Sequence, residues 1–261
     1  MNKEQRYPTD LTDEQFEYIK PFLPVSNGKG RPPLDVRQVL NALFYVLIGG
    51  IPWKMLPNDF PKLKSVYHYF WKWRKDGTWD SIYEALYKCE RKRQGRAPQP
   101  TAGCLDSQSV KNVGGEQEAR GYDAGKKITG RKRHLLVDTL GLPIGVKVTA
   151  ANVSDQAGAK ELFAEIKDKL LNLHKIWVDG TYRGVDWHAE VKKEYGIDLE
   201  VVQNEPGVKG FVVQAKRWVV ERTFGWLVQA RRLVREYEKL AASAEAMVKL
   251  ALIRLLVRRL A

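Results

Sequence analysis

Apolar positions recur at helical spacing through the first third of the chain. Thr12 and Gln15 have the T-x-x-Q form of a capping box ahead of Phe16, Ile19 and Leu23, a short helix disturbed by Pro21. Asp35 and Gln38 offer a second capping box before Val39, Leu40, Leu43, Phe44 and Leu47, and Gly49 and Gly50 end that helix. Residues 63–75 place Val66, Phe70 and Trp73 on one helical face and Lys64, His68, Lys72 and Arg74 on the other. A fourth helix over 79–93 runs on Ile82, Leu86 and Cys89 and ends in the basic cluster Lys88, Arg91, Lys92, Arg93 and Arg96. Residues 94–100 read as a linker.

From Thr101 the texture changes. Cys104, Leu105 and Asp106 end a short apolar run, and a Gly-rich, charged loop is expected over 114–130. Residues 134–138 and 145–153 read as two strands of a hairpin. An amphipathic helix starting at Asp155 turns Leu162, Phe163, Ile166 and Leu170 inward. A short strand over 175–179 ends in Asp179, a loop over 180–184 opens a helix over 185–195, and 199–203 read as one more strand. Helical patterns over 212–232 and 244–260 close the chain. Strands alternating with helices predict an α/β class, a mixed sheet with helices on its faces. The boundary falls between an all-helical block, 1–97, with tight turns as in a helix-turn-helix module, and an α/β block, 98–261.

Composition adds a partner to this picture. The 261 residues carry a formal charge of +13 together with 8 Trp and 11 Tyr, which points to a polyanion, nucleic acid first. No apolar run has the length of a membrane span and the N-terminus lacks a signal-peptide pattern, so a cytoplasmic protein is expected. Cys89 and Cys104 are too few for a disulfide framework, and the four histidines form no HxxxH pair, which makes zinc a poor candidate.

The acids carry the chemistry. Glu221 sits in an otherwise apolar and basic helical stretch, with Arg217 four residues before it and Trp218, Phe224, Gly225 and Val228 on its face. A carboxylate buried there needs a cation, donors or a metal. Asp106 and Asp179 at strand ends can converge with it at one edge of the sheet, where ligands bind. Three carboxylates together repel unless a divalent cation neutralises them, and hard oxygen ligands select Mg²⁺, with Mn²⁺ as a substitute. Two such ions about 4 Å apart serve phosphodiester chemistry. The bland reading is also open: Asp as a strand-end cap, and Glu221 paired only with Arg217. Asp123, Asp138, Asp155 and Asp186 occupy loop, turn, N-cap and first-turn positions where Asp is commonly structural.

LDSQSVK around Asp106, GRKRHLLVDTLGLP, ANVSD, WVDGTYRG around Asp179 and RWVVERTFGWL around Glu221 resemble the insertion-sequence transposases of the IS4/IS5 type, a branch of the DDE transposases. YPTDLTDEQF, GRPP and WRKDGTW resemble that family's N-terminal module, so the likeness covers nearly the whole chain. It implies a ribonuclease H-like catalytic core and two-ion, Mg²⁺-dependent cleavage at transposon ends, with transfer of the 3′-hydroxyl to target DNA. Asp106, Asp179 and Glu221 are then the catalytic metal ligands. The family pattern around the Glu matches Arg217, but its Tyr and Lys positions hold Gln214 and Val228, and Arg231 or Arg232 is expected to take the phosphate contact instead.

Further contacts to double-stranded DNA are expected from Lys126, Lys127, Arg131, Lys132 and Arg133, and from Lys64, Lys72 and Arg74 on the third helix, as phosphate contacts that position rather than specify. Trp177 could stack on a base or belong to the core. A homodimer on DNA is expected, since two ends are held together, and the helix ending at Leu260 could serve it or pack on its own core. Two further function classes stay open: a DNA-binding regulator with an inactive transposase fold, and a general metal-dependent nuclease.

Overall fold

The computed structural model describes residues 6–25, 34–115, 117–202 and 216–261. The chain divides into two compact units: a helical one, Met1–Pro98 with Leu227–Arg235 and Ala242–Ala261, and a sheet one, Gln99–Trp226 with Glu236–Ala241.

The helical unit contains α1 (Asp13–Ile19), α2 (Val36–Gly49), α3 (Leu63–Lys75), α4 (Thr78–Arg93), α8 (Arg231–Val234) and nearly all of α9 (Ala241–Leu260). The capping box at Thr12 and Gln15 forms as expected; at α2 the Asp35 carboxylate accepts from the Arg37 N–H. Val66, Phe70 and Trp73 of α3 are buried, and Trp73 meets Trp79 of α4 edge to face, centroids 4.9 Å apart. Gly50, at φ +67°, ends α2; a Cβ there would lie 2.8 Å from Cβ of Arg231, so both conformation and space call for glycine. Arg232 is buried: it donates to the Ile51 carbonyl at 2.7 Å and lies over the Trp53 ring. In α9, Leu250, Leu252, Ile253, Leu256 and Val257 are buried within the single chain, the own-core alternative for that helix.

The sheet unit holds β1 (Ala102–Lys111), β2 (Gly121–Asp123), β3 (Ile128–Asp138), β4 (Pro143–Ala150), α5 (Asp155–Glu165), β5 (Lys175–Val178), α6 (Val185–Tyr195), β6 (Asp198–Val201) and most of α7 (Trp218–Val228). The strand order is β2-β3-β1-β5-β6, with β4 also on β3. The pairs β1/β3, β2/β3 and β3/β4 are antiparallel, while β1/β5 and β5/β6 are parallel. A mixed sheet was the expectation and is what forms. Leu105, Leu136, Leu162, Phe163, Ile176, Val178 and Tyr182 belong to one buried cluster that seats α5 on the sheet. A Cβ at Gly158 of α5 would run into the His134 ring, so this glycine lets helix and sheet approach.

Three expectations are corrected here. β3 begins at Ile128, inside the stretch read as loop, because Arg131, Lys132 and Arg133 are strand residues paired with β1 on one side and β4 on the other. Asp106 lies in the middle of a ten-residue strand rather than at its end. The helical pattern over 212–232 forms as α7 and the separate α8; Gln214 lies outside the described residues.

Candidate active site

β1 and β5 are adjacent and parallel, with Cys104 opposite Trp177. Asp106 lies two residues beyond this pair and Asp179 follows the end of β5, so the register alone brings the two acids side by side. Asp106 Oδ1 accepts from the Ser107 backbone N–H at 2.7 Å, and Oδ2 accepts from Arg217 Nη2 at 3.2 Å. The same Nη2 stands 3.6 Å from Asp179 Oδ2, so one guanidinium spans both carboxylates. Asp179 Oδ1 accepts from the backbone N–H of Thr181 at 2.8 Å and from its hydroxyl, which fixes the carboxylate on the turn Gly180–Tyr182. The Asp106 pKa is pushed up to about 6: burial is the main cause, Asp179 adds to it, and Arg217 and the Ser107 N–H oppose it.

A third carboxylate stands beside them. Ser154, not Asp155, caps α5, so Asp155 in the first turn is free to accept from Ser107 Oγ at 2.7 Å and to pair with Lys132 Nζ at 3.0 Å. Burial alone would raise its pKa, but the bonds from Ser107 and Lys132 hold it below the usual carboxylate range. Gln156 donates to the carbonyls of Thr181 and Arg183, tying α5 to the turn that carries Asp179. The Tyr182 hydroxyl is buried near Asp106, Asp155 and Asp179, and burial and those charges raise its pKa well above the ordinary value. The sequence placed Asp155 as a cap; the signal missed is that SQS after Asp106 and SD before α5 face each other, 48 residues apart.

Glu221 is elsewhere in character. It lies in the first turn of α7, exposed, and its face is solvent: Trp218 is 43% and Val228 40% exposed, while Val219, Val220, Thr223, Phe224 and Leu227 are buried. The inference that a buried acid needs a partner therefore does not apply to it. Arg217, four residues back, pairs with Asp106 and Asp179 instead. Among the described residues, no three His, Cys, Asp or Glu side chains are grouped as a metal-ligand set.

Several basic residues expected on DNA are buried and engaged within the chain. Arg131 is fully buried and donates to the carbonyls of Glu118, Glu238 and Lys239. Arg133, also fully buried, pairs with Glu236 at 3.3 Å. Lys132 is committed to Asp155 and the Val153 carbonyl, and Arg232 to Ile51. Trp177 is 7% exposed, with Lys216 Nζ 4.2 Å from its ring centroid, so it is a core residue whose ring is covered by a cation. Lys126 and Lys127, in the β2–β3 turn, and Arg231, Lys64 and Lys72 are exposed, and Arg74 is half-buried.

Two family models match the chain. One, described as "Putative transposase of IS4/5 family", covers residues 11–83, and the other, "Transposase DDE domain", covers 97–256, more than half of the chain. A Burkholderia cepacia protein named "Putative transposase for insertion sequence element IS402" is 30% identical over 128 residues, 46% of this chain and 60% of that protein. Another from the same organism, "Insertion element IS402 uncharacterized 16.2 kDa protein", is 27% identical over 115 residues, 41% of this chain and 77% of that protein. The chain thus spans less than two thirds of the first of these relatives. No solved structure matches, and among the described residues no helix is long and apolar enough to cross a membrane.

Proposed function

This chain belongs to the transposases with a DDE domain, of the IS4/5 type, and we propose that it is a metal-dependent enzyme that cuts the ends of an insertion sequence and joins the 3′-hydroxyl to target DNA. One observation carries the reading: Asp106 on β1 and Asp179 just after the neighbouring parallel β5 converge on a single cation, the Arg217 guanidinium. The sheet, four strands joined by antiparallel pairs (β1 to β4) and two added in parallel (β5 and β6), with the first acid on β1 and the second after β5, supports a ribonuclease H-like core.

The residues fit a divalent ion. Two hard carboxylate donors face each other, and their mutual repulsion helps to hold the Asp106 proton affinity high, which a cation would relieve. Asp106 and Asp179 would hold Mg²⁺, and Glu221, exposed one helical turn after Arg217, is proposed as the third ligand of the DDE set. When bound, the ion supplies Lewis-acid activation of the attacking and leaving oxygens of a phosphodiester. The protein's share is positioning. Thr181 and the Ser107 N–H orient the two carboxylates; Asp155 holds the Ser107 hydroxyl, and Gln156 anchors the turn behind Asp179. Arg217 neutralises the pair and is placed to offer its fork to a phosphate oxygen.

In the helical unit, α3 presents Lys64, Tyr67, His68, Trp71 and Lys72 on an exposed face, which supports a DNA-binding role for it. A dimer holding two ends belongs to the same proposal. The test is cleavage of DNA carrying the element's terminal repeats in Mg²⁺. Wild-type protein should cut at the ends, and Asp179→Ala should lose at least about a thousandfold in rate while its circular dichroism stays native. Cleavage that is unchanged in Asp179→Ala would sink the reading, and cutting without regard to the repeats would favour a general nuclease.

A further inference from the structure

Arg254 and Arg258 stand one turn apart on the same face of α9. Together with Thr9, Asp10, Gln15 and Phe44 they line a cavity of about 220 Å³ within the helical unit. Arg258, in the last turn, is favoured by the negative end of the helix dipole. Arg254 lies a turn further in and has no such support. Its pKa falls to about 10, mainly from burial and then from the like charge of Arg258, and no carboxylate among the described residues offsets either effect. Asp10, on the same wall, has Oδ2 engaged by the backbone N–H groups of Arg6 and Tyr7. Thr9 Oγ1 is buried in the same region without a hydrogen-bond partner among the described residues. A charge drawn even partly out of water ordinarily gains a partner. Here two guanidinium groups, Arg254 half-buried and Arg258 exposed, line one space that is large enough for a tetrahedral oxyanion.

We propose that this cavity is a phosphate-binding subsite, in which the Arg254 and Arg258 guanidinium groups grip phosphate oxygens. Guanidinium forks match that geometry and stay charged at every relevant pH. The phosphate is either that of a DNA backbone or a free one. The anion site does not rest on the DNA-cutting reading; only the assignment of its source to DNA does.

The experiment measures the thermal midpoint of the full chain against inorganic phosphate, with chloride at matched ionic strength as reference, for wild type, Arg258→Gln and Arg254→Gln/Arg258→Gln. Wild type should show a saturable rise, because a ligand bound only by the native state stabilises it. Arg258→Gln, an exposed change that leaves the fold intact, should need about tenfold more phosphate for half the rise, and the double variant should show none. A rise of equal size and midpoint in all three proteins, or no saturable rise in wild type, overturns the proposal. A second arm measures duplex DNA affinity against salt. A salt slope smaller by about 2 in the double variant identifies a DNA backbone as the source. An unchanged slope, with the phosphate effect still lost, identifies free phosphate.

Discussion

Glu236 and Asp106 are both carboxylates set against guanidinium groups in the sheet unit, and their surroundings differ in kind. Glu236, 2% exposed, faces Arg131 at 3.6 Å and Arg133 at 3.3 Å, both fully buried, and Arg131 is further held by the main-chain carbonyls of Glu118, Glu238, Lys239 and Leu240. There one acid meets two cations. At Asp106 two acids share one cation, at 3.2 and 3.6 Å, and every member keeps some exposure. The first cluster is balanced by main-chain acceptors and closed to solvent, so its work is to fix the segment Glu236–Ala241 against β3. The second carries an excess of negative charge at an accessible edge, which is what a site for a divalent ion requires. Polar chemistry of the same type thus differs between the two clusters in charge balance and access.

Substitutions can break that comparison. Glu236→Gln leaves two buried guanidinium groups without their anion and should cost about 3–5 kcal/mol of stability; denaturant unfolding should show the loss, and added Mg²⁺ should not restore it. If Glu236→Gln unfolds like wild type, the closed cluster is not the anchor described.

A slightly smaller effect comes from His134, buried between β3 and α5 with Nε2 on Thr149 Oγ1 at 2.9 Å. Burial lowers its pKa from 6.5 to about 4. The unfolded chain therefore binds the additional proton between those values. His134's contribution is intact above about pH 6.5 and is lost as pH falls towards 4, by about 3 kcal/mol in total. His134→Gln should flatten the stability profile across that window; an unaltered slope would assign the acid sensitivity to other groups.

Arg217→Gln has the smallest expected effect. It leaves Asp106 and Asp179 facing each other and should cost about 1–3 kcal/mol without metal, recovered in part by Mg²⁺. Recovery here and none at Glu236→Gln is the pattern that separates the two clusters. Equal response to Mg²⁺ in both would erase the distinction.

Much of this was legible along the chain, for local reasons. α3 over 63–75 and α6 over 185–195 begin and end where their periodicity and glycines place them, because spacing and caps decide those limits. Asp179 after its strand was equally visible. The basic run at Arg131, Lys132 and Arg133 was not, since charges in sequence read as a solvated loop. Only carbonyls more than a hundred residues away, and Asp155 across the sheet, reveal them as buried strand residues. Glu221 misled in the opposite direction: aromatic neighbours in sequence suggested burial, but α7 turns Trp218 and Val228 outward with it. Asp155 reads as a cap along the chain because its partner Ser107 lies 48 residues away; the cap itself is Ser154.

The account stands most directly on whether Asp106 and Asp179 are a cation site. Mn²⁺ titration followed by electron paramagnetic resonance, on wild type and Asp179→Asn, measures this without DNA. Wild type should bind Mn²⁺ saturably and Asp179→Asn at least about tenfold more weakly. Equal binding by the two proteins would contradict the account.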